Sequence, residues 1–216
     1  MKTILSIAML FMFTNGYAVG WKQVSDNNGI TVYKAKIPGS KLVGFRGETS
    51  IYASAEKLMH ILVDNNHRKD WVDRLKTSTV LETVSPYEYV IYQEFKLPWP
   101  LKNRDFVYRG KATRHKDGRV VLVMKSEIHP KAPKTVGVRA ELINSKYTIT
   151  PIGKYKSKLE VEIMSDPKGA IPKWLVNLIQ KKWPYKTLMA IKSQVEKTYV
   201  KEHPLPPILE SKITKK

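Results

Sequence analysis

The run His67, Arg68, Lys69, Asp70, Trp71, with Asp73 close behind, holds the residues best suited to polar chemistry. An arginine flanked by acids can grip an anion with its planar fork of donors. A carboxylate held close to it could act as a base if burial shifted it toward neutrality. Little else in the chain offers reactivity. The five histidines, His60, His67, His115, His129 and His203, show no metal-ligand spacing. His60 and His67 would share a helical face only if a helix ran on through Asn65 and Asn66, so both are read as solvated. There is no nucleophile elbow and no glycine-rich phosphate loop. The absence of cysteine excludes thiolate metal sites, disulfides and a lipid anchor on a cysteine. The expectation is a chain that binds rather than catalyses, with no catalytic residue, metal or cofactor.

The elements that must position Arg68 follow from hydrophobic period. Residues 29–37 and 41–51 read as strands separated by a Pro-Gly-Ser turn. Residues 54–64 shift to helical spacing, with Ser54 as cap and Leu58, Ile61 and Leu62 on one face. Residues 65–75, which carry Arg68, form a short polar connection. From residue 78 the period returns to two. Stretches 78–84, 88–97, 104–114, 119–128, 138–152 and 156–165 read as successive antiparallel strands, with Leu159, Val161 and Ile163 alternating against Glu160 and Glu162. A long C-terminal helix follows, with Pro172 in its first turn, Leu175, Leu178 and Ile179 on its apolar stripe, and a kink at Pro184. The class is therefore α+β: a curved antiparallel sheet whose concave face a long helix can cover.

Composition narrows the setting. The chain has 216 residues, 42% hydrophobic, enough for one domain with its own core. Residues 1–18 have the layout of a cleaved signal peptide: Lys2, an apolar run from Ile4 to Phe13, then the small residues Gly16 and Ala18. The apolar run is shorter than the ~20 residues of a spanning helix. A periplasmic or secreted location is expected. A formal charge of +19 favours anionic partners. Export makes nucleic acid a poor candidate and the anionic surface of a membrane a better one.

Four stretches, in order, resemble the START domain, the steroidogenic acute regulatory protein-related lipid-transfer family: NNHRKDW (65–71), EFKLPWPLKNRDFVYRG (94–110), VGVRAEL (136–142) and DPKGAIPKWLVNLIQKKWP (166–184). The resemblance covers residues 20–200 and suggests a secreted, bacterial-type, single-domain member. It divides the chain into a signal peptide (1–18), a lipid-binding domain (19–201) and a loose proline- and lysine-rich tail (202–216). It implies a helix-grip fold enclosing an internal tunnel for one lipid, phospholipid or sterol-like. That lipid would be carried between membranes by a monomer in transient contact with them. A cyclase or hydrolase on the same scaffold, or a sensor of ligand occupancy, are the competing readings.

The resemblance also distributes roles. It places Arg68 inside the tunnel near a headgroup, beside Trp71, with Asp70 or Asp73 or a phosphate as its partner. Choline-lipid binders carry an aspartate directly after the tryptophan, where this chain has Val72. The aromatic positions around a choline match Gln93, Phe106 and Ile143. Only Phe106 is aromatic, which argues for another phospholipid, an anionic lipid or a sterol-like ligand. With Gln93 inward, strand parity turns Ile91, Phe95 and Leu97 inward and Tyr92, Glu94 and Lys96 outward; Phe106 and Tyr108 point in and Asp105 out. Arg139 meets either a headgroup or an acid, Glu141 or Asp105. Trp174, Leu175 and Leu178 are roof candidates on the helix, and Trp183 could anchor at a membrane interface. In the loop 98–103 two prolines stiffen a gate and Trp99 is either its apolar tip or a core residue.

Overall fold

A computed structural model describes residues 20–37 and 42–209, without side chains at 173, 174 and 177–180. The expected signal peptide, the Pro-Gly-Ser turn, the last residues of the tail and the side chains of Trp174 and Leu178 lie outside the described residues.

The strands are β1 (Lys22–Asn27), β2 (Ile30–Lys36), β3 (Val43–Ile51), β4 (Leu75–Ser85), β5 (Glu88–Phe95), β6 (Arg104–Arg114), β7 (Val120–Ser126), β8 (Val138–Arg139), β9 (Glu141–Leu142), β10 (Ser145–Gly153), β11 (Lys156–Ile163) and β12 (Ser165–Asp166). Helices α1 (Ala55–Val63) and α2 (Lys173–Gln194) and a 3-10 turn at Arg68–Asp70 complete the fold. The main sheet runs β1-β2-β3-β11-β10-β7-β6-β5-β4, with β8 added in parallel to β6, while β12 and β9 form a separate pair. All other pairings between these strands are antiparallel, so the expected helix-grip architecture, a curved antiparallel sheet held around its C-terminal helix, is what the chain adopts.

Local chemistry explains the ends of the helices. The Ser54 hydroxyl accepts from the Lys57 amide at 3.2 Å and caps α1, which buries Leu58, Met59, Ile61 and Leu62. Pro172 is the N-cap of α2 in an extended conformation (φ −57°, ψ 132°), one residue before the first turn predicted for it. Helix α2 crosses β2, β3 and β11. It comes very close to β3 at Gly47, where a Cβ would stand 2.8 Å from Pro184 Cβ and 2.9 Å from Leu188 Cδ1. Pro184 is buried there, inside the helix. Glycine on the strand is what lets the backbone of β3 approach the helix.

Two elements differ from the sequence reading. Strand β1 was not foreseen: it is an edge strand with no buried residue, so it lacks the alternation that marks the others. The stretch 138–152 is not one strand but three, broken at Ala140 and again at Ile143 and Asn144. The two faces of the sheet also differ from simple inside and outside. Tyr92 and Glu94 do leave the concave face, but they are buried on the convex one. Tyr92 packs there with Val90 and Val107 under Leu81 and Ala132.

Candidate functional site

Between α2 and the β4 side of the sheet lies a cavity of about 380 Å³, within the ~300–1,000 Å³ of small-molecule sites. Its walls are built by parity. Gln93 and Phe95 come from β5, Phe106 and Tyr108 from β6, Met124 from β7, Tyr147 from β10 and Ile163 from β11. Leu175, Val176 and Trp183 of α2 form the roof. The lining is mainly apolar, and Phe95 meets Phe106 edge to face at 5.6 Å.

Arg68 sits in this wall, 4% exposed. The 3-10 turn after α1 brings it in: Nη2 donates to the Leu62 carbonyl at 2.7 Å, and the guanidinium lies 6.0 Å from the centre of the Trp71 ring. It forms no ion pair among the described residues, and its Nε has no hydrogen-bond partner. Burial works against its charge, yet the oxygens of Tyr108, Tyr89 and Tyr147 around it more than compensate and raise its pKa. The same burial pushes Tyr108 up to about 12, despite the opposing pull of Arg68, and raises Tyr147 as well. The result is a charged guanidinium among neutral phenols, with no acid to neutralise it.

Gln93 is fixed by a relay: its Nε2 donates to Ser78 Oγ at 3.1 Å, and that hydroxyl donates to Asn65 Oδ1 at 2.6 Å, just before the arginine turn. At the mouth, Asp73 accepts from Lys186 of α2 at 3.0 Å and lies 3.7 Å from Arg74. Arg104 is buried at the opposite rim. It donates to the carbonyls of Lys102, Pro167 and Lys168 at 2.5, 2.9 and 3.2 Å, tying the loop 98–103 to the segment before α2.

Of the residues singled out in the sequence, Arg68, Trp71, Asp73, Gln93, Phe95, Phe106, Tyr108 and Leu175 meet around this cavity. Four do not. Ile91 faces the same way but is sealed in the core, 1% exposed, because the cavity stops short of the middle of β5. Trp99 is 92% exposed at the loop tip, so it neither lines the cavity nor packs in the core. Arg139 is on the convex face, 2.6 Å from the fully buried Asp105, so of its two readings the ion pair is the one formed. Ile143 gives way to Leu142 and Ser145, because the break between β9 and β10 resets the alternation. His60 and His67 are half-buried rather than solvated. They bracket Asp64 at 3.7 and 2.6 Å, and His67 stacks on Tyr199. Met124 and Ile163 were missed as lining, although alternation with the buried Leu122 and Val161 carried the signal. Trp183 lines the cavity instead of standing free at the surface.

The sequence profile described as START domain matches residues 14–188. The chain is 30% identical over 162 residues to the phosphatidylcholine transfer protein of Mus musculus, covering 73% of this chain and 75% of that one. It is 25% identical over 195 residues to an uncharacterised protein of Pseudomonas aeruginosa, covering 90% and 96%. Among solved structures, a STAR-related lipid transfer protein fragment from Xanthomonas axonopodis superposes with a TM-score of 0.74 at 28% identity, over 82% of this chain and 99% of that one.

Proposed function

The chain belongs to the START domain family, and from that premise we propose that it binds one phosphate-bearing lipid beneath α2 and carries it between membranes. The phosphatidylcholine transfer protein and the Xanthomonas lipid transfer protein among its relatives support lipid binding and transfer in general. The observation that carries the finer reading is Arg68. Phenol and carbonyl oxygens keep the guanidinium charged but give it no negative charge to pair with among the described residues, so an anion entering the cavity meets an unneutralised cation in a poorly screened place. A phosphate entering the cavity would supply the missing partner, with the acyl chains along Phe95, Phe106, Met124 and Ile163. Each methylene removed from water contributes about 0.8 kcal/mol, so a lipid crosses an aqueous compartment far more readily inside such a cavity than alone.

Delivery requires the cavity to open at a membrane. Trp99, exposed between Pro98 and Pro100, suits a headgroup interface, and the charge of +19 favours an anionic one. The signal-like N-terminus supports work outside the cytoplasm, which fractionation would check, and we take the carrier to be a monomer, which sedimentation would check.

The test is native mass spectrometry of the purified protein with identification of whatever co-purifies, followed by transfer between vesicles. A stoichiometric phospholipid and faster transfer are expected, and Arg68→Leu weakens phospholipid binding more than sterol binding. Equal loss of both would remove the headgroup role of Arg68. A lipid-free protein that moves no lipid would defeat the proposal.

A further inference from the structure

The charges around the cavity are lopsided. Among the described residues Arg68, Arg74, Arg104, Lys182 and Lys186 line it, against the single acid Asp73. That acid is already engaged by Lys186 and Arg74. The nearest acids on β5 and β6, Glu94 and Asp105, leave through the convex face, where Lys76 and Asn103 hold the first and Arg139 and Tyr92 the second. A headgroup ammonium would therefore find no free carboxylate. Of the rings on the wall, Trp71 already has Arg68 over it and Phe95 and Phe106 meet edge to face, while Trp183 on the roof stands between Lys182 and Lys186 in the helix sequence, whose charges oppose an ammonium there. An ammonium in this cavity would instead be repelled by cations in a poorly screened environment.

From this ledger we propose that the cavity selects lipids whose headgroup bears net negative charge, such as a phosphate diester with no attached amine, over zwitterionic ones. The proposal rests on the lipid-binding reading above and adds the class of ligand. Specificity here comes as much from the missing counter-charge for an amine as from the grip on phosphate.

Because the protein surface is itself cationic, the test must separate docking from selection. Lipid-free full-length protein is mixed with vesicles containing equal parts of phosphatidylglycerol and phosphatidylcholine with the same acyl chains. The re-isolated one-to-one complexes are then weighed by native mass spectrometry. Both lipids share one surface, so their ratio in the complex reports the cavity. Phosphatidylglycerol is expected in excess by at least about tenfold, equivalent to ~1.4 kcal/mol. A ratio near one, or an excess of phosphatidylcholine, overturns the selection while leaving lipid binding in place. Absence of both complexes would overturn the lipid-binding reading and the selection with it.

Val72→Asp, which adds a carboxylate to the half-buried cavity wall near Arg68, is expected to bring the ratio toward one. A folded Val72→Asp protein with an unchanged ratio argues against selection by cavity charge. Should that variant fail to fold, Lys182→Glu at the exposed rim takes its place, with a severalfold fall in the ratio expected and no change overturning the proposal.

Discussion

The two faces of β5 and β6 bury charge in opposite ways. On the convex face Asp105, wholly buried, accepts from Arg139 at 2.6 Å and from the Tyr92 hydroxyl at 3.3 Å. On the concave face Arg68, almost as buried, has a carbonyl, three phenols and no acid. A buried charge whose partner is built into the chain serves the fold. One whose partner is missing is poised for a partner from outside. The pairing, more than the burial, distinguishes the two.

The largest expected effect breaks the paired side. Arg139→Ala leaves Asp105 buried and uncompensated, and should cost about 2 kcal/mol in urea unfolding, less than the ~3–5 kcal/mol of a fully buried pair because Arg139 is partly exposed. Lipid uptake should be untouched. Arg68→Leu should do the reverse: it replaces a cation without an acid by an apolar group, so stability should stay within about 1 kcal/mol while phospholipid uptake falls. If Arg68→Leu destabilised the protein as much as Arg139→Ala, the guanidinium would belong to the fold and the contrast would collapse.

An intermediate effect is expected at the helix that roofs the concave face. Gly47→Ala places a methyl where Pro184 and Leu188 already stand at 2.8 and 2.9 Å. Pro184 sits in a rigid ring and α2 must lift to accommodate it, costing about 1–2 kcal/mol by thermal or urea unfolding. Because the displaced helix is also the roof, lipid exchange should quicken in the same variant. A neutral Gly47→Ala would mean that α2 is free to move without cost.

The same contrast shows what the sequence could and could not reveal. Parity on β5 and β6 put Gln93, Phe95, Phe106 and Tyr108 on one side and Asp105 on the other, because a strand has only two faces. Parity says nothing about what covers a face. Tyr92 and Glu94 read as solvent-facing, yet Ala132 and Arg139, some forty residues on, bring that face into a second core. Nor does parity survive a break. Leu142 and Ser145 both reach the cavity although three positions apart, since the chain turns between β9 and β10. Arg68 was legible as a charged residue among acids, but its lack of an ion pair is a fact of three dimensions: Asp70 turns toward Tyr199 and Asp73 toward Lys186.

The smallest effect on stability should come from Trp99, and it sharpens the contrast between what holds the fold and what serves transfer. A side chain 92% exposed contributes almost nothing to the core, so Trp99→Ala should shift unfolding by no more than about 0.5 kcal/mol. The flanking Pro98 and Pro100 hold the loop stiff, and Arg104 fastens its base to the segment before α2, so the ring is presented outward at little further entropic cost. An indole displayed on a cationic protein gains contact energy only where it finds a headgroup layer. The rate of transfer between vesicles should therefore fall severalfold, while the amount of lipid held at equilibrium stays the same. Unchanged transfer would detach the loop from membrane docking. A stability loss above about 1 kcal/mol would show that the ring packs against the body of the protein in solution.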